Sequence, residues 1–331
     1  MTWRIAVTTG RFLPVDPAQP VLNRIDTPDD EMEARRLEEE QRQAALEQRA
    51  DPDCPIHMLA VPNEGMMSGQ PTNCYLLGRI GESGSLALID AGRQGSIDVF
   101  EPAFEAAGID PKRIDDIILT HCHPDHVGGV SDLQALTGAS VHVPPLEREL
   151  LEKFAPDLAV DFWLDHDEPV EAGERELRPI FTPGHAPGHI AFVEQGTKAL
   201  IAGDMISGFG SVGIFPPHGS LRDYMSSLHR LLAVHDEVGC SAILPGHGPV
   251  IPEVRAKIEE YIAHRMQRER EILQVLEQQG ETTVEEIFPV IYPDILEHLS
   301  FAGKATITAH LEKLVEDGAV ERRDDRYRVI A

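Results

Sequence analysis

The chain has 331 residues, 42% of them hydrophobic: ample material for a sizeable core, but more length than one ordinary core fills, so two domains are expected. Its 56 acidic residues against 29 basic leave a formal charge of −27, a field that repels polyphosphate and argues against a nucleic-acid partner. No apolar segment reaches membrane-spanning length, the start lacks a signal-peptide core, and Cys54, Cys74, Cys122 and Cys240 show no paired spacing, so free thiols in the cytoplasm and no membrane partner are expected.

Residues 1–23 are mixed, with room for one irregular strand. Residues 27–50 hold strong helix formers with neither glycine nor proline after Pro28. Their apolar face is thin (Met32, Leu37, Ala44, Leu46), which predicts an exposed acidic helix inserted in an N-terminal segment, 1–54. From Ile56 the texture becomes β-like. The runs 57–61 and 73–77 are strand-sized, and Leu86–Ile89 reads as a buried strand that delivers Asp90 at its carboxyl end. A carboxylate emerging there is placed to orient a metal-binding imidazole.

A helix is expected over 97–108 and a strand over 113–119, leading into the densest stretch of the chain, Thr120-His-Cys-His-Pro-Asp-His126. Extended backbone after a strand sends alternate side chains the same way, so His121 and His123 can converge on one ion. Pro124 stiffens the turn, after which Asp125 and His126 point elsewhere, as a second ion beside the first requires. A helix at 131–137 and a strand at 140–143 follow. At 181–189 two Pro-Gly steps hold His185 on a rigid loop, a natural third ligand for the first ion. His189, next to it, is open to three roles: binding substrate, bracing the site, or packing. The apolar run 200–203 ends in Asp204, a charge that can bridge two cations. The run 242–244 ends in Pro-Gly-His247-Gly-Pro. Donors thus recur at strand ends, and a sheet gathers its strand ends at one edge.

With these residues in view, the chain resembles the metallo-β-lactamase superfamily. The motifs are LIDAG at 88–92, THCHPDH at 120–126, TPGH at 182–185, AGD at 202–204 and PGHGP at 245–249, in the family's order. The resemblance implies an α/β fold, the αββα sandwich, over a catalytic domain of 55–250. It implies His121, His123 and His185 on one metal, Asp125, His126 and His247 on a second, and Asp204 bridging. GDMISGFG at 203–210 with GSLRDYMSSLHRLL at 219–232 resembles the lactamase-beta-2-like and glyoxalase-II-like subgroup, which carries a small C-terminal domain. Here 251–331 reads as a long helix at 253–279, helices near 282–291 and 304–314, and a hairpin around Asp324-Asp325, an order that resembles a winged helix. That domain holds 11 Lys+Arg against 17 Asp+Glu, so covering the active-site mouth or forming a homodimer suits it better than reading DNA.

The implied chemistry is that of a dinuclear metal-dependent hydrolase. Two divalent ions, zinc by donor chemistry with iron or manganese as alternatives, lower the pKa of a shared water, and the resulting hydroxide attacks a small ester. A thioester or lactone is the leading substrate class, with Asp125, Asp90 and His189 as the catalytic candidates beside the ligands. An endoribonuclease acting on single-stranded RNA is the runner-up, and a metal-stabilised scaffold without activity the third reading. The loops 65–71, 147–167 and 209–220 are expected to wall the pocket, with Met66, Met67, Phe209, Phe215 and Tyr224 as candidates for an acyl-binding lining.

Overall fold

Strands that are apolar on both faces need cover on both faces, and that need sets the layers of this protein. A computed structural model describes residues 13–14, 54–63, 70–165, 168–293 and 300–330; the acidic helix expected at 27–50 and the pair Met66 and Met67 lie outside them. Seven strands form one sheet in sequence order: β1 Leu13–Pro14, β2 Ile56–Val61, β3 Thr72–Leu77, β4 Leu86–Ile89, β5 Ile114–Ile118, β6 Ser140–Val143 and β7 Phe162–Trp163. Five form the second, in the order β12-β11-β10-β9-β8, with β8 Val170–Ala172, β9 Arg175–Phe181, β10 Ile190–Glu194, β11 Ala199–Gly203 and β12 Ala242–Pro245.

Alternation along each strand divides its side chains between two cores. On β4, Ala87 and Ile89 face the other sheet, while Leu86 and Leu88 face a helical layer. On β11, Ala199 and Ile201 turn to the inter-sheet core and Leu200 and Ala202 to the opposite helices. Each such leucine or isoleucine, fully buried, contributes about 1.5–3 kcal/mol. The helices over the first sheet are α1 Ile97–Ala107, α2 Pro124–Val127, α3 Val130–Thr137 and α4 Arg148–Phe154. Over the second lie α5 Leu221–Val238 and α6 Val254–Gln279. The result is the expected αββα sandwich.

The first half of α6 (Val254, Ile258, Tyr261) packs on the second sheet, and its second half (Ile272, Val275, Leu276) enters a separate small core. The boundary expected at 250 therefore falls just before a helix shared by both units. The small unit adds α7 Val284–Ile291, α8 Ser300–Glu316 and a sheet ordered β13-β15-β14, from β13 Thr282–Thr283, β14 Val320–Arg323 and β15 Arg326–Val329. This is the winged-helix arrangement. The helix expected from 282 starts two residues later, because Thr283 caps it reciprocally with Glu286 while Thr282 and Thr283 pair with Tyr327 and Arg326. Among the described residues no helix is long and apolar enough to cross a membrane.

His310, on α8, has no exposed surface, and neither ring nitrogen has a hydrogen-bond partner. Burial pushes its imidazole well below the ordinary range, and Arg265, Arg268 and His264 of α6, with Lys313 on its own helix, push the same way. The folded protein therefore holds His310 neutral. Its contribution is intact above the unfolded value of about 6.5 and is lost as pH falls below it. Urea unfolding followed by circular dichroism should show wild type losing about 1 kcal/mol more than His310→Leu between pH 6.5 and 5.5. Equal losses in the two proteins would show that His310 does not carry the acid sensitivity.

Candidate metal centre

The strand directions bring the expected residues to one edge. β4 and β5 are parallel, so Asp90 and the 120–126 segment leave the first sheet together. In the second sheet β10 is antiparallel to both β9 and β11, and β11 is parallel to β12, so β9, β11 and β12 share a direction. Their ends release the 182–189 loop, Asp204 and the 245–249 loop on that edge. Backbone hydrogen bonds stitch the segments: Ile190 N to Thr120 O at 2.9 Å, Asn73 N to Gly246 O at 2.7 Å, and Gly246 N to Gly203 O at 2.8 Å. Gly246 is required by close approach, since a Cβ there would stand 2.2 Å from Asp204 Oδ1. Asp90 sits at φ 60°, a left-handed conformation that strains most side chains and is concentrated at functional positions.

Four of the five imidazoles are oriented by a bond on the outer side. His126 Nδ1–H donates to Asp90 Oδ2 at 2.8 Å, His185 Nδ1–H to Gly213 O at 2.9 Å, and His247 Nδ1–H to Pro71 O at 2.8 Å. The Thr120 hydroxyl donates to Asp90, so it accepts from His121 Nδ1–H at 3.0 Å. These bonds orient the four rings and turn their Nε2 atoms inward. His123 contributes Nδ1, which lies 3.1 Å from His121 Nε2 and 2.8 Å from His185 Nε2. One proton on that atom can serve only one of its two neighbours at a time.

Three groups of donors result, each with its atoms mutually within 4.8 Å: His121, His123 and His185; His121, His126 and Asp204; Asp125, His126 and His247. Asp204 spans the centre. Its Oδ2 lies 3.4 Å from His185 Nε2 and 3.3 Å from His247 Nε2, and its Oδ1 lies 3.4 Å from His126 Nε2. Donors about 2.0–2.1 Å from a tetrahedral ion stand roughly 3.3 Å from one another, which is the spacing found here. His126 Nε2 and Asp204 Oδ1 are also buried without any hydrogen-bond partner. Two orphaned buried atoms facing each other, in a cluster of imidazole nitrogens and carboxylate oxygens, fit a divalent cation.

The two halves of the centre differ in charge. Burial pushes His121, His123 and His185 down, His123 to about 3, so all three are neutral near pH 7. Burial also opposes charge on His126 and His247. There the carboxylates win: Asp204 and Asp90 hold His126 up, and Asp204 and Asp125 hold His247 at about 10. Burial would raise Asp125, yet His247 and His126 bring it to about 2.

His189 is fully buried. It accepts from Asp204 N–H at Nε2, 3.1 Å, and donates through Nδ1 to Thr182 Oγ1, 2.8 Å. Of its three open roles this fits the brace and leaves no ring nitrogen for substrate. Tyr224, a candidate for the pocket wall, is also fully buried, and its hydroxyl donates to Met205 O at 2.6 Å, so it belongs to the core beneath the loop. Phe209 is partly exposed, and Phe215 stacks at 6.2 Å on Phe301 of α8, an apolar contact between the winged helix and the loop behind His185. Several supporting residues gave no motif. Asn63 and Thr72 contact Asp125 Oδ2 at 3.4 and 3.5 Å, and Asn73 holds the 245–248 loop through Pro245 O and Gly248 O. Thr72 and Asn73 are polar residues opening a buried strand, which is the one sequence signal they offered.

Residues 67–247 match the profile of the metallo-beta-lactamase superfamily, and residues 283–328 that of the beta-lactamase associated winged helix domain. The chain is 33% identical over 264 residues to a beta-lactamase-like protein 2 homolog of Caenorhabditis elegans, an alignment covering 78% of this chain and 83% of that protein. It is 32% identical over 219 residues to an atrochrysone carboxyl ACP thioesterase of Aspergillus fumigatus, covering 65% of this chain and 62% of the other. The structure of a metallo-beta-lactamase family protein from Thermus thermophilus superposes with a TM-score of 0.67 at 28% identity, over 83% of this chain and 99% of its own.

The charge difference between the halves has a measurable consequence. An ion entering among His121, His123 and His185 displaces no proton near pH 7, whereas one entering beside His247 must displace the proton its carboxylates retain. In zinc titrations of metal-free protein, one affinity should hold steady from pH 8 to 6. The other should weaken about tenfold per pH unit for each proton displaced. Two affinities with the same pH slope would contradict this asymmetry.

Proposed function

The chain belongs to the metallo-β-lactamase superfamily and is a metal-dependent hydrolase; from that premise we propose that it is dinuclear and cleaves a small ester-type substrate, most readily a thioester or lactone. What supports this most is the inward turn of five imidazoles and two carboxylates around one centre, four of the rings oriented by an outer hydrogen bond. In this reading His121, His123 and His185 hold one ion, Asp125, His126 and His247 the other, and Asp204 touches both. The donor set of imidazole nitrogen and carboxylate oxygen suits zinc, with iron or manganese as the alternatives. When bound, the pair supplies Lewis acidity and a water whose pKa falls toward neutrality.

The chain's own groups do the rest. Asp125 is held at about 2, some five units below neutral pH, so it orients a water by accepting a hydrogen bond rather than taking its proton. Asn63 and Thr72 fix that carboxylate from behind. Asp90 keeps His126 and, through Thr120, His121 in one tautomer, and His189 secures the backbone of Asp204. No serine or cysteine nucleophile takes part; Cys122, between two ligands in sequence, is buried in the core under the first sheet.

Two observations favour a small ester over RNA. On α8, Lys304 and Lys313 are offset by Glu312 and Glu316, and three of the four wing arginines are paired with acids: Arg323 and Arg328 with Glu321, Arg326 with Glu286. The thioesterase of Aspergillus fumigatus among the relatives points the same way. Free thiols at Cys54, Cys74, Cys122 and Cys240 suit a cytoplasmic setting. Zinc-loaded protein should hydrolyse acyl-thioester or lactone substrates, and Asp125→Ala and His185→Ala should each lower kcat by about a hundredfold or more. Cleavage confined to single-stranded RNA, abolished by the same substitutions, would transfer the assignment to the ribonuclease reading.

A further inference from the structure

The three imidazoles assigned to the first ion come from two separate segments. His121 and His123 follow β5 of the first sheet; His185 sits on the loop between β9 and β10 of the second. Something must hold those segments at a fixed separation, because a ligand set displaced by half an ångström loses much of its affinity. One side chain bridges them. The carboxylate of Glu147, just ahead of α4, accepts from Cys122 N–H at Oε2, 2.8 Å, and from Gly188 N–H at Oε1, 2.6 Å. Cys122 lies between His121 and His123. Gly188 closes the loop that carries His185.

We propose that Glu147 is a positioning residue for the first ion, its carboxylate clamping the His121–His123 segment to the His185 loop; this rests on the ligand assignment above. Three observations beyond the two hydrogen bonds support it. Glu147 has no exposed surface, and among the described residues no lysine, arginine or histidine pairs with it. A lone buried carboxylate destabilises a fold relative to an apolar side chain of the same shape, so its presence needs a task that only an anion with two acceptor oxygens performs. A doubly accepting carboxylate is that group: it receives a donor on each oxygen, which neither a glutamine nor a protonated acid does without turning a donor against a donor. Finally, Gly188 is shaped to this contact. A Cβ there would meet Glu147 N at 2.9 Å and Glu147 Cγ at 3.0 Å, so the glycine lets the loop backbone reach the carboxylate.

The clamp acts on one half of the centre. Its donors flank the first-ion residues directly; Asp125 and His126 follow on the same segment but have their own holds, Asn63 and Thr72 for Asp125 and Asp90 for His126, while His247 and Asp204 are held by Pro71 O and His189. The test is therefore selective. Glu147→Gln and Glu147→Asp are compared with wild type in the full chain. The measurements are zinc affinities by chelator competition, the visible absorption of the cobalt-substituted protein, and the melting temperature of the metal-free protein. Glu147→Gln should weaken one of two zinc affinities by about 10–100-fold, change the cobalt spectrum of that ion, and leave the other affinity nearly untouched. Glu147→Asp, which keeps the charge and both acceptors, should recover part of the loss and serves as the test should the glutamine variant not fold. Equal weakening of both affinities, or a lower melting temperature with both affinities intact, would reduce Glu147 to a structural residue and overturn the inference. Wild-type protein binding fewer than two ions would remove the ligand assignment itself, and the inference with it. Two ions in wild type and unchanged affinities in Glu147→Gln would remove the inference alone.

Discussion

Acceptors do not gather in a protein interior unless a positive charge gathers them. His121, His126, His185 and His247 each spend their Nδ1 hydrogen on an outward partner; the Nε2 atoms of His121 and His185 then crowd His123 Nδ1 at 3.1 and 2.8 Å, and those of His126 and His247 face the Asp204 and Asp125 carboxylates at 3.3–3.4 Å. Neutral groups so arranged repel, and water removed from them is not replaced. Protons settle the balance in one half of the centre, where Asp204 and Asp90 keep His126 charged and Asp204 and Asp125 keep His247 charged. Bound metal would settle the rest. The rest of the structure can be read as the machinery that holds this unfavourable convergence in place until such charge arrives.

That machinery is mostly backbone. Parallel β4 and β5 and the codirectional β9, β11 and β12 deliver their carboxyl ends to one edge, and the loops are tied there by main-chain hydrogen bonds across the two sheets. The tight places are filled by residues that have no Cβ in the way or that tolerate a left-handed turn. Gly203 sits at φ 48° with His189 Nε2 where a Cβ would point, and Asp90 at φ 60° aims its carboxylate at Thr120 and His126. Local strain of this kind costs about 1–3 kcal/mol and is tolerated because two packed sheets over-determine the geometry.

The winged-helix unit is mechanically close to the centre. The loop after Asp204 is tied to His247 O through Gly208 N–H and Ser207 Oγ and is gripped along its length by α5 and α6. Tyr224 donates to Met205 O, Tyr261 to Ser207 O and Gly210 O, and the buried Arg265 to Val212 O. The next residue, Gly213, is the one whose carbonyl orients His185. Because α6 continues into the small core of the winged helix, and Phe301 of α8 stacks on Phe215, the C-terminal unit rests on the segment that aims His185.

Much of this was legible in the chain alone, for a physical reason. Strand interiors buried on both faces read as unbroken apolar runs, and the polar residues that follow them stand out; hence Asp90, His121, His123, Asp125, His126, His185, Asp204 and His247 were all visible, as was the sandwich. The helical runs near 282–291 and 304–314 and the turn at Asp324-Asp325 similarly marked the winged helix, with helix starts off by a few residues. What the sequence could not state was which distant groups meet. Asn63 and Asp125 are 62 positions apart, Glu147 and Gly188 are 41, and nothing in their local spacing links them. Tyr224 looked like a pocket wall and proved to be core, since burial depends on what packs opposite and not on the residue itself. The amino-acid order determined the donor inventory and the periodicity that builds the strands; the pairing of the sheets decided the convergence, the tautomers and the protonation of each histidine, because those depend on neighbours that only the folded chain supplies.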